Sequence, residues 1–263
     1  MTTKAILVGL SPDTDSLATI TWAADYAGTL HAPLRVVQAS SANLPALYNA
    51  AAAVRDRFPQ LSLSCSTVDG ALADAVLDRC HDAHLIVVDR DTGKHNLASV
   101  LAATASCPVA AVAPGTAWDD ETRPILVGAD GTEHSEQALR WAFAEADRLG
   151  CGVRIVHCQP HGPYGATTNA RRNSVFDLVS LFAGRYPAMA VQVHTLTCAP
   201  AEALAWHSQF ASMVVIGYRE HSLGGRTYRT VLREAACPVL IAGPDTTLDV
   251  AHAAASVANT VRS

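Results

Sequence analysis

The sequence has no long apolar run, no strong charge of either sign and no closely spaced pair of cysteines. No stretch approaches the roughly 18 consecutive apolar residues of a membrane-spanning helix, and the apolar run before Asp13 is shorter than a secretory signal requires. The formal net charge of -5 offers no general attraction to nucleic acid or to an anionic membrane. Seven cysteines, an odd number without CxxC spacing, favour free thiols. We therefore expect a cytoplasmic protein that binds neither nucleic acid nor membrane.

The chain contains two copies of one pattern. The stretch ILVGLSPDTDSLATITWAADYA has a counterpart, ILVGADGTEHSEQALRWAFAEA, that begins 119 positions later. In this register Gly9 matches Gly128 and Trp22 matches Trp141, and the copies end alike, in SCPVAAVAP and ACPVLIAGP. A repeat of this length indicates two similar domains in tandem. The predicted divisions of the chain are a first domain at 1–116, a second domain at 123–244 and a C-terminal tail at 245–263.

Within each copy, short β-branched runs alternate with longer helical patterns. Strands that are apolar throughout and separated by helices are typical of a parallel sheet covered on both faces. We predict an α/β protein with two tandem Rossmann-like domains, each a five-stranded parallel sheet of order 3-2-1-4-5 with helices on both faces. The strands predicted in the second copy are Ile125–Gly128, Val153–His157, Val191–Leu196, Met213–Ile216 and Val239–Ala242.

Three residues of the second copy predict where its helices begin and end. Thr132 is expected to cap the helix that follows the first strand, and Gly150 to close it. Pro200 suits the first turn of a later helix.

The order 3-2-1-4-5 reverses between strands 1 and 4, and ligands of open parallel sheets bind at such a reversal, beyond the carboxyl ends of the strands. In the second copy the loops at this place are VGADGTE and the stretch that opens VVIGYREHSLGGRTYRTV. We therefore expect Asp130 and Gly217 to face one crevice, although 87 positions separate them.

The two stretches that carry these loops, ILVGADGTEHSEQALRWAFAEA and VVIGYREHSLGGRTYRTVLREAACPVLI, resemble the start and the end of the universal stress protein domain. The first copy resembles it through WAADYA, APLRVVQA and CPVAAVAP. The resemblance covers nearly the whole chain except the tail. It implies strand order 3-2-1-4-5 and pairing through the last strand, either between the two halves or between chains. Some members of the family bind ATP through an Asp after strand 1 and a loop G-x2-G-x9-G-[ST]; others lack the loop and do not bind it.

The resemblance implies an ATP site in the second copy that departs from the family pattern. Asp130 stands at the adenosine-contacting Asp and Gly217 at the first loop glycine, but Glu220 replaces the second glycine and the loop is one residue short. Arginines of the loop can pair with phosphate, or they can pair with Glu220 in a solvated loop. The implied ATP-contacting residues are Gly128, Ala129, Asp130, Gly217, Arg219, Gly224, Gly225, Arg229, Thr230 and Val231.

The first copy departs further from this pattern. Ser11 stands where Asp130 stands in the second copy, and Asp89 takes the place of the first loop glycine. Two acidic residues, Asp89 and Asp91, would face any phosphate there. We expect no nucleotide in this half and a structural role for it.

Other groups of reactive residues favour ordinary structural roles. The segment HCQPH, His157 to His161, lacks the further ligands of a zinc site, although His157 lies near the crevice and could touch a ligand there. Cys107 and Cys237 precede the last strands and are interpreted as small buried hydrophobic residues. No nucleophile and base stand in a catalytic pattern.

The sequence therefore predicts a non-enzymatic stress-response or regulatory protein with an ATP site in the second half and no metal site. Two alternatives stay open. One is a protein-interaction module that binds no nucleotide, and the other is a slow nucleotide hydrolase.

Overall fold

The computed structural model of the chain describes residues 3–11, 17–40, 44–90, 97–116, 122–159, 165–218 and 226–243, with the backbone alone for residues 165–172 and 226. The strands are β1 (Ala5–Leu10), β2 (Leu34–Ala39), β3 (Leu63–Val68), β4 (Ala83–Asp89), β5 (Val109–Val112), β6 (Ile125–Gly128), β7 (Val153–Cys158), β8 (Val191–Leu196), β9 (Met213–Gly217) and β10 (Val239–Ala242). The α-helices are α1 (Leu17–Leu30), α2 (Leu44–Arg57), α3 (Leu72–Leu77), α4 (Leu97–Thr104), α5 (Glu133–Leu149), α6 (Gly165–Arg185), α7 (Pro200–His207) and α8 (Arg226–Glu234). Single turns of 3-10 helix follow α3 at Cys80–Asp82 and α7 at Ser208–Phe210.

The ten strands form one sheet, in the order β3-β2-β1-β4-β5-β10-β9-β6-β7-β8. The predicted α/β class is confirmed, and each half has the expected order 3-2-1-4-5. The five strands of each half join into one sheet, because the last strands, β5 and β10, pair antiparallel with Val109 opposite Ile241; of the two pairings that the resemblance implied, this is the one between the halves. Both strands are fully buried and apolar, and their pairing removes two exposed sheet edges.

The pairing of β5 with β10 also settles which partner the last strands take. They pair within one chain, so neither is exposed for the predicted self-association through the last strands. Among the described strands, β3 and β8 lie at the two edges of the sheet. The domain boundaries at residues 116 and 123 stay predictions, and the tail at 245–263 lies outside the described residues.

The second half follows the local sequence signals closely. Its five strands match the predicted ranges to within one residue at each end. Gly150 ends α5 in the left-handed conformation, with φ of 69°, and Pro200 opens α7, as predicted. Thr132 stands at the start of α5 but does not cap it through its side chain. Its hydroxyl donates a charge-assisted hydrogen bond to Oδ1 of Asp130 at 2.6 Å.

Apolar layers cover both faces of the sheet, as strands apolar throughout require. On one face α1, α2, α5 and α6 bury the two equivalent tryptophans, Trp22 and Trp141, against the strands. On the other face α3, α4, α7 and α8 supply Val76, Leu101 and Leu204 among others.

A buried glutamate joins the two halves beside this sheet. Glu145 of α5 has no exposed surface; it accepts a hydrogen bond from the Tyr26 hydroxyl at 2.6 Å and lies 3.1 Å from Nε2 of His84. Burial alone would raise the pKa of Glu145, but the hydrogen bond and charge of His84, the hydrogen bond of Tyr26 and the charge of Arg148 outweigh it, so its pKa lies below the ordinary value. Tyr26 and Glu145 are 119 positions apart, the spacing of the repeat, so the pair joins equivalent positions of the two halves.

A second set of polar contacts joins the halves on the opposite face. The guanidinium of Arg90, which follows β4, donates to the backbone oxygens of Ala235, at 2.7 Å, and Cys237. The hydroxyl of Ser99 donates to the Tyr228 hydroxyl at 3.0 Å, between α4 and α8. The two halves are thus held together by side-chain contacts on both faces in addition to the strand pairing.

Candidate functional site

The predicted crevice of the second half lies where β6 and β9 end. These strands are hydrogen-bonded neighbours, with Val127 opposite Val215, so the loops after them leave the same edge of the sheet side by side. The backbone of Ala129 continues past β6 and donates to Val156 of β7 at 3.0 Å. Asp130, Gly217 and the end of β7 are therefore brought to one region.

The Asp130 side chain is fixed to the first turn of α5. Its Oδ1 accepts hydrogen bonds from the backbone N–H of Thr132 at 3.2 Å, the Thr132 hydroxyl at 2.6 Å and the Ser135 hydroxyl at 2.6 Å. The backbone N–H of Asp130 donates to Oγ of Ser135 at 2.8 Å. The carboxylate is therefore held in one orientation.

Close packing requires glycine at one of the predicted site positions and crowds a second. A Cβ atom at Gly217 would stand 2.1 Å from the backbone oxygen of His134, in the first turn of α5. A Cβ atom at Gly128 would stand 3.0 Å from Cδ1 of Leu204. Glycine at 217 lets the end of β9 approach the helix that carries the Asp130 contacts, and no side chain fits there without moving the backbone.

The other predicted ATP-contacting residues divide into two groups. Arg229, exposed, and Thr230, half-buried, lie on α8, whereas the Val231 side chain is fully buried in the core. Thr230 and Val231 stand in the second turn of α8. Their backbone N–H groups bond to carbonyls four residues earlier, so they are not available to donate to a phosphate as those of the first turn would be. Arg219, Gly224 and Gly225, together with Glu220, lie outside the described residues.

His157 is a further polar residue of this region, which the sequence placed only near the crevice. It lies at the end of β7 with 3% of its surface exposed, and its Nδ1 is 2.9 Å from the backbone oxygen of Ala129. Its Nε2 is buried and has no hydrogen-bond partner in the part of the chain that the structure describes. An unpaired ring nitrogen on a residue that contacts the backbone of Ala129 is a signal that only the structure reveals.

In the first half a carboxylate occupies the place that corresponds to Gly217. The strand registers put Asp89 at that position, and it is 6% exposed. Its Oδ1 accepts from the Thr19 hydroxyl at 2.5 Å, and its Oδ2 from the backbone N–H of Ser11 at 3.3 Å. Asp89 therefore spans the gap between the end of β4 and the loop after β1. The sequence suggested only that this charge would repel phosphate.

The cysteine interpretation is confirmed for the two residues before the last strands. Cys107 and Cys237 are 5% and 6% exposed, and burial raises the pKa of each thiol to about 12. Elsewhere among the described residues, no group of three or more His, Cys, Asp or Glu side chains is placed to hold a metal ion. His161 lies outside those residues. Within the described ranges, no helix combines the length and the apolar character needed to cross a membrane.

Comparison with known proteins finds one family for the second half of the chain. The model of the universal stress protein family matches residues 121–243. A universal stress protein of Mycobacterium tuberculosis is 28% identical over an alignment 274 positions long. The alignment covers 91% of this chain and 96% of the relative. Residues 121–243 therefore form a universal stress protein domain, and the chain is similar to universal stress proteins over most of its length. A second universal stress protein, from Mycobacterium bovis, is 28% identical over 208 residues, 70% of each chain.

Solved structures share the paired fold of this chain. A universal stress protein from Archaeoglobus fulgidus has a TM-score of 0.62 at 14% identity, over 90% of this chain and 98% of that one. The cytoplasmic domain of a prokaryotic cation chloride cotransporter has a TM-score of 0.57 at 11% identity, over 90% and 95%. Identities this low show the fold alone.

Proposed function

We propose that this chain is a tandem universal stress protein, a non-enzymatic cytoplasmic regulatory protein that binds an adenine nucleotide, ATP above all, in its second half and not in its first. The observation that carries the proposal is the contrast between Gly217 and Asp89 at one position of the repeat. Glycine puts no charged side chain between the two loops, whereas the Asp89 carboxylate bridges the corresponding loops of the first half.

The chemistry of the second half suits a nucleotide. A ribose hydroxyl that reached Asp130 would meet a carboxylate already oriented by Thr132 and Ser135. The side chain would therefore lose little conformational entropy when the charge-assisted hydrogen bond forms. Arg229, exposed on α8, supplies a positive charge that can pair with phosphate. We propose no hydrolysis of the bound nucleotide, because no nucleophile and base stand in a catalytic pattern in the sequence.

A protein-interaction module is the second candidate, and an exposed aromatic pair favours it. Trp206 at the end of α7 and Phe210 just after it are 58% and 49% exposed, with ring centroids 5.4 Å apart. Aromatic side chains are enriched at protein interfaces. This surface is separate from the nucleotide site, so the two functions can coexist.

The test of nucleotide binding uses the full chain with two matched variants. ATP is titrated calorimetrically into the wild type, Asp130→Ala and Ser11→Ala, which alters the equivalent position of the first half. We expect micromolar binding to the wild type and to Ser11→Ala, and at least a tenfold loss in Asp130→Ala. A wild type silent to millimolar ATP would overturn the proposal and leave the interaction module.

A further inference from the structure

His157 is buried at the point where the second half would receive its ligand. It is the fifth residue of β7, 3% exposed, and it contacts the backbone of Ala129, the residue before Asp130. Ala129 and the end of β7 are also joined through the backbone of Val156. The imidazole is therefore held against the loop that carries the proposed nucleotide contacts.

The contact with Ala129 fixes which nitrogen of His157 carries the proton. A backbone oxygen can only accept, so the 2.9 Å contact requires Nδ1 to carry the hydrogen and donate it. In the neutral imidazole Nε2 is then a bare acceptor. The partner that Nε2 lacks among the described residues must consequently be an N–H or O–H group.

A buried acceptor without a donor is uncommon in folded proteins and calls for an explanation. The first half offers a comparison at the same position of the repeat, where Gln38 is 4% exposed and its Oε1 also has no partner among the described residues. There, Asp89 already bridges the neighbouring loops. Gln38 thus provides a control at which an acceptor is present and no nucleotide is expected.

We propose that His157 determines ligand specificity, with Nε2 accepting a hydrogen bond from an N–H or O–H group of the bound ligand. The inference rests on the proposed nucleotide function and deepens it. An adenine nucleotide offers two donors of this kind, the exocyclic amine of the base and the ribose hydroxyls. Inosine triphosphate replaces the amine by an acceptor oxygen, and the deoxy analogues of ATP remove one hydroxyl each, so the two sources can be separated.

The experiment compares the binding of ATP, inosine triphosphate, 2′-deoxy-ATP and 3′-deoxy-ATP by calorimetry. The full chain is used as wild type, His157→Phe and the control Gln38→Leu. We expect the wild type and Gln38→Leu to bind one analogue at least about tenfold more weakly than ATP, the effect of one hydrogen bond lost from a buried acceptor. In His157→Phe this preference is expected to vanish. The weakened analogue identifies the donor.

Two further measurements keep the inference falsifiable. His157→Gln retains an acceptor, as Gln38 does, and is expected to restore part of the preference if the phenylalanine variant folds poorly. Nitrogen NMR of the wild type reports the tautomer without any ligand, and we expect hydrogen on Nδ1 of His157. The inference is overturned if His157→Phe keeps the wild-type preference, or if the hydrogen is found on Nε2. Failure of ATP to bind the wild type would instead reject the proposed function.

Discussion

Replacing Glu145 with alanine should destabilise the folded chain severely, because this residue joins the two halves through buried polar contacts. The carboxylate is inaccessible to solvent, accepts from Tyr26 at 2.6 Å and lies 3.1 Å from His84, which itself is on the first half. Alanine would leave the Tyr26 hydroxyl and the His84 ring without this acceptor in a buried region.

The expected magnitude follows from burial. A buried polar group left without its hydrogen-bond partner costs about 1–3 kcal/mol, and two such groups lose their acceptor here, so the loss is a large part of the roughly 5–15 kcal/mol that stabilises a typical fold. Urea unfolding at neutral pH measures the loss. The matched control is Glu136→Ala on the same helix, whose ion pair with Arg140 is exposed to solvent, each side chain being 38% accessible. This control should cost less than about 1 kcal/mol. Equal losses in the two variants would refute the role assigned to Glu145.

The lowered pKa of Glu145 gives the same prediction a pH dependence. A carboxyl whose folded pKa lies below its unfolded value of 4.5 adds stability above that value and loses it as the pH falls through the folded pKa. The groups that face it are His84, Tyr26 and Arg148. The stability difference between the wild type and Glu145→Gln should therefore be largest near neutral pH and shrink below pH 4.5. A difference that grows on acidification would contradict this assignment.

Three further substitutions test the two crevices. Gly217→Ala places a Cβ 2.1 Å from a backbone oxygen and should lower thermal stability, whereas Gly184→Ala, with no atom within 4 Å, should not. Asp89→Ala removes the acceptor of Thr19 and should cost about 1–3 kcal/mol in urea unfolding without changing ATP affinity; an altered affinity would mean that the first crevice takes part in binding. Arg229→Ala should weaken ATP binding and flatten its dependence on salt; titrations identical to the wild type at low and high salt would remove Arg229 from the site.

Local sequence patterns predicted the strands, but they could not predict how the halves meet. The five strands of the second half and the left-handed Gly150 depend on residues close in sequence, and the structure has them as expected. The pairing of β5 with β10 joins segments about 130 positions apart, which no short-range periodicity encodes. Glu145 fits the helical pattern of α5 as an ordinary surface residue. Its burial depends on Tyr26 and His84 of the other half.

The sequence predicted where the candidate site lies, but not which contacts its side chains make. Parallel order put Asp130 and Gly217 at one edge of the sheet, where the structure has them. Asp89 was expected to act through its charge, but it acts through two hydrogen bonds whose partners only the fold brings near. The sequence likewise could not show that Nε2 of His157 is unpaired. Only the fold shows that Nδ1 is the nitrogen that contacts the backbone oxygen of Ala129 and that Nε2 is the one left over.

The stoichiometry of ATP bound to the intact chain tests the central claim, nucleotide binding in the second half and not in the first, most directly. Native mass spectrometry of the full-length protein, at an ATP concentration just sufficient to saturate the wild type and repeated with Asp130→Ala, counts the nucleotides held by each chain. We expect one ATP per wild-type chain and a clearly lower occupancy in Asp130→Ala. Two per chain, or one that persists in Asp130→Ala, would contradict this claim.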